Sequence, residues 1–262
     1  MDLIRVGQSP PLKNYLKKLW SHRHFMIRVP LEDLRAQNSH TFLGGLWLIL
    51  NPLLQVGVYF LVFGVIMPID RGVDQYLVFL TIGVFIFFYT QRVISEGARS
   101  LVINIGLIRT LHFPRAVLPI STRIGQAFAF LPVLAVMTIV VLAYGNWPHL
   151  RWLLILPLFA LQSALGLGFG FIMARYNHGF RDLENLLPFV FRLLFYISGV
   201  LYSVDNVVED SFWRALFLLN PMYCLVTTWR WVMVGTSIAS EVWFVTGIWA
   251  LGSLIFGFLI FR

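Results

Sequence analysis

The stretch SEGARSLVINIGLIRTLHFPRAVLPISTR, residues 95–123, decides how this chain folds. It carries Arg99, Arg109, Arg115 and Arg123 but a single acid, Glu96, and it lies between two long apolar runs. Within it, residues 101–111 form a short amphipathic segment that ends in His112-Phe113-Pro114-Arg115. A cationic, half-apolar helix between two membrane runs is shaped to receive a push from a partner outside the membrane.

The rest of the composition agrees with a membrane setting. Hydrophobic residues make up 58% of the 262 positions and charged residues 12%, about half the charge of an ordinary soluble domain, and the mean hydropathy is +0.78. The expected class is an all-α polytopic membrane protein. One cysteine, Cys224, excludes an intramolecular disulfide and a cysteine-based zinc site. The first forty residues lack the continuous apolar core of a cleavable signal.

Six spans are expected, at 42–67, 76–94, 116–144, 152–174, 186–204 and 242–261. Each is close to the ~20 apolar residues needed to cross the hydrocarbon. Residues 1–41 read as an interfacial segment, with Leu12, Leu16, Leu19, Met26 and Ile27 on one side of a helix and Lys13, Lys17, His24 and Arg28 on a polar stripe. Pro30 is expected to end that helix. Asn51-Pro52 should kink the first span or leave a carbonyl free. Residues 95–115 form the cytoplasmic coupling segment. The glycines at 166, 168 and 170 suit close helix packing. Residues 205–240 hold apolar pieces too short to span, which read as short extracytoplasmic helices, re-entrant or interfacial, between spans five and six. The whole makes one transmembrane domain.

Charge placement sets the orientation. Sixteen of the twenty Lys and Arg residues fall in the first segment, in 92–123, in 175–192 or at Arg262. The positive-inside rule then puts both termini and the coupling segment in the cytoplasm. The net charge of +8 is topological, which argues against nucleic acid as a partner.

The motifs of chemistry are missing from the sequence. It has no G-x-x-x-x-G-K-[ST] phosphate loop, no CxxC or H-x-x-x-H ligand set, no G-x-S-x-G elbow and no paired-aspartate motif. No catalytic residue and no metal site are expected. No acid lies in the middle of a span, which disfavours ion-coupled transport. The driving force must come from outside the chain.

Several motifs together resemble the ABC-2-type permeases that export polysaccharides. Glu32-Asp33-Leu34-Arg35 followed by Leu43-Gly44-x-Leu46-Trp47 and Asn51-Pro52 is similar to the family's approach to its first span. Leu107-Ile108-Arg109, Phe113-Pro114-Arg115 and Leu118-Pro119 resemble its coupling segment. Phe180-Arg181-Asp182-Leu183, residues 198–202 and Asn220-Pro221-Met222 with Arg230 and Gly235 resemble its C-terminal half. Ala36-Gln37-Asn38-Ser39 departs from the Arg-Tyr pair that the family often has there, which leaves the polymer open.

The resemblance implies a permease subunit of a bacterial plasma-membrane exporter, not an enzyme. It implies a second copy of this chain and two copies of a separate ATPase, which binds ATP and Mg; no cofactor belongs to this chain. Leu101, Asn104, Ile105, Leu107, Ile108, Arg109, His112, Phe113, Pro114 and Arg115 are the expected coupling residues. The implied cargo is a polyprenyl-diphosphate-linked glycan of galactan, O-antigen or teichoic acid type. Arginine matches phosphate bidentately, so Arg28, Arg35 and Arg192 are candidates for the diphosphate. A sliding glycan needs broad, loose contacts, so Tyr59, Phe63, Phe85, Phe88, Phe195, Tyr196 and Tyr202 are candidates for the channel. Export of drugs or small lipids is the competing reading.

Overall fold

A computed structural model describes residues 11–37, 41–66, 73, 75–110, 113–204, 210–236, 238 and 240–262. These residues are overwhelmingly helical, and no strand occurs among them. Five helical stretches among them are long and apolar enough to cross a membrane: Gly44–Ile66, Tyr76–Ile103, Val117–Ala143, Leu150–Gly179 and Glu241–Phe261.

The N-terminal segment is two helices, α1 (Leu12–Ser21) and α2 (Arg23–Gln37). Pro30 does not end the second; the helix runs through it to Gln37. The physical reason is on α6 (Val117–Ala143), against which α2 packs. There Gly125 leaves the space that Pro30 fills, since a Cβ on Gly125 would stand 2.7 Å from Pro30 Cβ. Packing outweighs the loss of one helical donor. On α1, Tyr15 and Leu19 face the protein, while Leu12, Leu16 and Trp20 stay exposed.

The first span is composite. A short 3₁₀ turn (Gly44–Leu46) leads into α3 (Trp47–Phe60), which contains Pro52, and a π-helical stretch (Leu61–Ile66) follows. Helix α4 (Tyr76–Ile103) is the centre of the molecule: 72% of its apolar core is buried, against 6% for the first span. It extends well past the expected end at residue 94, because 95–103 continues the helical hydrogen bonding until Asn104.

Helix α7 (Ile155–Gly179) follows a 3₁₀ segment (Leu150–Leu154) and packs on α4 and on the C-terminal helix. Its glycines allow backbone contact. A Cβ on Gly168 would collide with the Ser253 carbonyl, and one on Gly97 of α4 would meet Gly170 Cα at 2.9 Å.

Helix α8 (Leu183–Ile197) is 15 residues, about 22 Å at 1.5 Å per residue, and so shorter than the span expected over 186–204. It stops because Ser198 and Gly199 turn the chain, with Gly199 at φ +61°. Two short helices follow, α9 (Ser211–Phe217) and α10 (Pro221–Val234); residues 205–209 lie outside the described residues. Asn220 caps α10, its side chain accepting from the Met222 and Tyr223 amides, and Gly235 ends it at φ +79°. The last helix, α11 (Ser240–Phe261), closes the bundle against α7 and α10.

Candidate coupling surface and translocation face

Three ties hold the far end of α4. Gly97 and Gly170 bring its backbone against α7. Asn177 Nδ2 donates to the Ala98 carbonyl at 3.0 Å. Arg99 Nε pairs with Glu184 Oε1 of α8 at 2.5 Å. The pairings of Arg99, Asn177 and Glu184 were not legible in the sequence, because each joins residues about eighty positions apart. Beyond this clamp the chain breaks at Asn104, whose Nδ2 donates to the Ser100 carbonyl at 2.9 Å, and restarts as α5 (Ile105–Thr110). As far as Thr110, the expected amphipathic segment is therefore the end of α4 joined at a corner to a six-residue helix; Leu111 lies outside the described residues.

The apolar side of that corner is packed. Leu101, Leu107, Ile108 and Phe113 join one cluster with Ala116, Leu118, Phe171, Ala174 and Phe261, and Tyr15 and Leu19 of α1 cover it. Pro114 is buried. The other side is open: Ile103, Gly106, Arg109, Thr110 and Arg115 are exposed, and Asn104 and Ile105 are half-buried. His112 lies outside the described residues. Such a corner is a lever: an exposed tip on a base tied to α7 and α8.

Beside the lever a cavity of about 410 Å³ is lined by Arg115, Arg175, His178, Arg262, Tyr15 and Phe113, with no acid among its lining residues. His178 lies in the last turn of α7, with Arg175 just before that turn, and Arg262 follows the end of α11, where cations suit the carbonyl end of a helix. The Ala116 amide approaches Tyr15 Oη at 3.4 Å. Burial pushes the Tyr15 phenol above its ordinary pKa, while that amide, Arg262 and Arg115 pull it back down.

The residues proposed for the diphosphate are dispersed. Arg28 and Arg35 are exposed on α2, and Arg35 pairs with Glu32 at 2.9 Å. Arg192 is exposed on α8, 5.9 Å from the Phe189 ring centre.

The aromatic candidates divide. Tyr59, Phe63, Phe88, Phe195 and Tyr196 come together where α3, α4 and α8 meet, with Tyr59 and Phe195 5.1 Å apart and Phe88 and Phe195 5.3 Å apart. Within the group Phe195 is buried and Tyr196 is exposed. Phe85 is buried in the core, where it lines a crevice of about 30 Å³ together with Phe88, and Tyr202 sits past the end of α8, half-buried. Outside this cluster the first span and α8 carry an unpartnered apolar face, with Leu54 and Val58 of α3 and Leu61 and Val65 of the π-helical stretch on one side and Leu186, Phe189 and Leu193 on the other.

A family model described as ABC-2 type transporter matches residues 33–234. The O-antigen export system permease protein RfbA of Klebsiella pneumoniae is 29% identical over 206 residues, 78% of each chain. Its counterpart in Myxococcus xanthus is 28% identical over 215 residues, 82% of each chain. The polysialic acid transport protein KpsM of Escherichia coli is 26% identical over 201 residues, which is 75% of this chain and 76% of the relative.

Proposed function

Because the chain belongs to the ABC-2 type transporter family, we propose that it is the transmembrane subunit of a polysaccharide exporter. The curated relatives named for O-antigen and polysialic acid export support that cargo class. The chain works as a homodimer with two copies of a separate ATPase, in the bacterial inner membrane, with both termini cytoplasmic. The ATPase binds ATP and Mg; this chain supplies the path.

The lever at Asn104 carries the reading. A partner that grips the exposed side of α5 moves the end of α4, and the ties Arg99–Glu184 and Asn177–Ala98 pass the motion to α8 and α7. Arg109 is a natural mate for a partner carboxylate, and the cavity ringed by Arg115, Arg175 and Arg262 accepts a second acidic side chain. The unpartnered face of α3 and α8 fits a second copy of this chain, and its aromatic cluster would then flank the path between the two. The cargo is a glycan on a polyprenyl diphosphate: the lipid anchors it, the aromatic faces let the sugar slide.

Depletion of the protein in its host, with radiolabelled lipid-linked glycan followed in intact spheroplasts, tests the reading. Long lipid-linked polymer should accumulate and stay shielded from added glycosidase. Absence of polymer together with a rise in sensitivity to small toxic compounds would replace this cargo with drugs or small lipids. Arg109→Glu should lower export about tenfold or more while the protein still folds, since a charge-assisted contact becomes a repulsion.

A further inference from the structure

Three apolar spans meet at the cavity beside the lever. Arg115 stands just before α6, Arg175 and His178 near the end of α7, and Arg262 just past α11, and all four line it together with Tyr15 of α1. Its volume, about 410 Å³, lies within the range of small-ligand pockets, about 300–1,000 Å³. No Asp or Glu side chain lines it. Among the described residues, Arg115, Arg175 and His178 have no ion-pair partner and no side-chain hydrogen bond. Like charges around one cavity repel, so an anion brought from elsewhere is favourable there.

Depth decides which anion. Helix α6 begins at this cavity, and α7 and α11 end at it, and each belongs to a stretch long and apolar enough to cross a membrane. The cations therefore lie at the level of the lipid headgroups, where phosphates are. Basic pockets between spans on the cytoplasmic side suit such headgroups. The walls agree with a lipid. Leu101, Phe113, Ile260 and Phe261 give the cavity an apolar side. Tyr15 packs on Phe258 of α11, with ring centres 6.0 Å apart. The two helices that touch there carry exposed apolar neighbours, Leu12 and Leu16 on α1 and Phe256 and Leu259 on α11. These offer a surface to acyl chains whose phosphate sits in the cavity. A carboxylate of the ATPase, entering past the exposed Arg115, engages part of the ring and leaves that apolar flank bare.

We propose that this cavity binds the phosphate of an anionic phospholipid from the cytoplasmic leaflet, and that the bound lipid braces the base of the lever. Arg175 and Arg262 hold the phosphate. Tyr15 Oη accepts from the Ala116 amide and keeps its own proton for the anion. Phe113 and Arg115 belong to the chain between α5 and α6, so a filled cavity stiffens the root of the coupling corner. The site does not depend on the cargo; its effect on coupling rests on the reading of α5 as the grip of the ATPase.

The test uses the intact permease–ATPase complex. Incubated in detergent with equimolar phosphatidylglycerol and phosphatidylcholine and read by native mass spectrometry, it should retain phosphatidylglycerol in preference. Arg175→Gln and Arg262→Gln should each lower that retention about fivefold, the effect of one cation beside an anionic headgroup. Arg175 is exposed, so its replacement leaves the fold intact. Lys17→Gln, an exposed cation of α1, should leave retention unchanged. In nanodiscs, ATP hydrolysis should rise with the phosphatidylglycerol fraction and lose that dependence in Arg175→Gln. Equal retention of the two lipids overturns the proposal. So does an equal fall in Lys17→Gln, which makes the attraction a property of the whole basic surface. Inorganic phosphate in large excess should not displace the lipid; if it does, the site reads phosphate alone and the lipid reading falls. Weaker assembly of Arg175→Gln with the ATPase, at unchanged lipid retention, gives the cavity to a partner carboxylate and also overturns it. Retention that falls as expected while hydrolysis ignores the lipid removes the brace, and counts against α5 as the lever rather than against the site.

Discussion

Arg230 and Arg123 are both buried, at 5% and 6% exposure, and they are buried in opposite ways. Arg230 leaves α10 and reaches the turn after α8, where Nη1 donates to the Gly199 carbonyl at 2.7 Å and Nη2 to the Val200 carbonyl at 2.9 Å. Its Nε and Nη2 also reach the Phe79 carbonyl of α4, at 3.3 and 3.1 Å, and its guanidinium lies 3.2 Å from the Phe79 ring centre. The positive φ of Gly199 is what turns two carbonyls toward one guanidinium. Three elements are thus joined by one side chain with every nitrogen used. Arg123 of α6 reaches Ser163 of α7 through Nε and Nη2 and the Tyr89 side chain of α4, and lies against the Tyr89 and Phe159 rings, so it ties three helices largely through side chains and rings where Arg230 uses backbone carbonyls. Equal burial thus hides two kinds of tie, one made to backbone carbonyls that no substitution removes and one made to side chains that can be removed one at a time.

The largest effect should come from Arg230→Met. It strips the charged donor from three carbonyls inside the bundle, at a cost on the order of 3–5 kcal/mol. Thermal unfolding in detergent, and the yield of monodisperse protein, should both fall sharply; a variant as stable as the wild type would end the comparison. Gly83→Ala attacks the same clamp from α4. Its Cβ would stand 2.5 Å from Arg230 Nη2 and 3.1 Å from the Val200 carbonyl, so a loss of about 1–3 kcal/mol is expected. Asn220→Ala is milder. Asn220 caps α10 and its Nδ2 donates to Ser198 Oγ at 2.9 Å, fastening the start of α10 to the end of α8. The expected loss is about 1 kcal/mol, and in Arg230→Met it should shrink, because both groups hold the same junction.

Much of this was legible in the sequence, and the misses have causes. The apolar runs mark five membrane spans, while the sixth expected run, 186–204, holds only the short α8, and Asn220-Pro221 with Gly235 frame α10 by capping rules alone. Pro30 misleads because its tolerance depends on a glycine ninety-five positions away on α6. The corner at Asn104 is hidden because 95–103 has enough helix-forming residues to prolong α4. Arg123 sits inside the expected third span, yet it counts as a flanking cation when charges are tallied by side. The signal that separates it is local: Arg123, Gln126 and Phe130 share one face of a helix, and two of them are polar in an otherwise apolar stretch. Arg230 carries no such mark, since its partners are backbone carbonyls.

Arg123→Met sharpens the comparison from its other side, because here stability should barely move. The substitution removes a buried charge of similar length, and the groups left behind are few: Ser163 Oγ still donates to the Phe159 carbonyl at 2.6 Å. Exchange of a poorly paired buried charge for an apolar side chain is neutral or stabilising in other proteins, so unfolding should shift by no more than about 1 kcal/mol, in either direction. The decisive number is therefore the shift in unfolding of each variant. If Arg123→Met lowers stability as much as Arg230→Met does, then side-chain and ring partners hold an arginine as firmly as backbone carbonyls, and the two arginines are buried for the same reason after all.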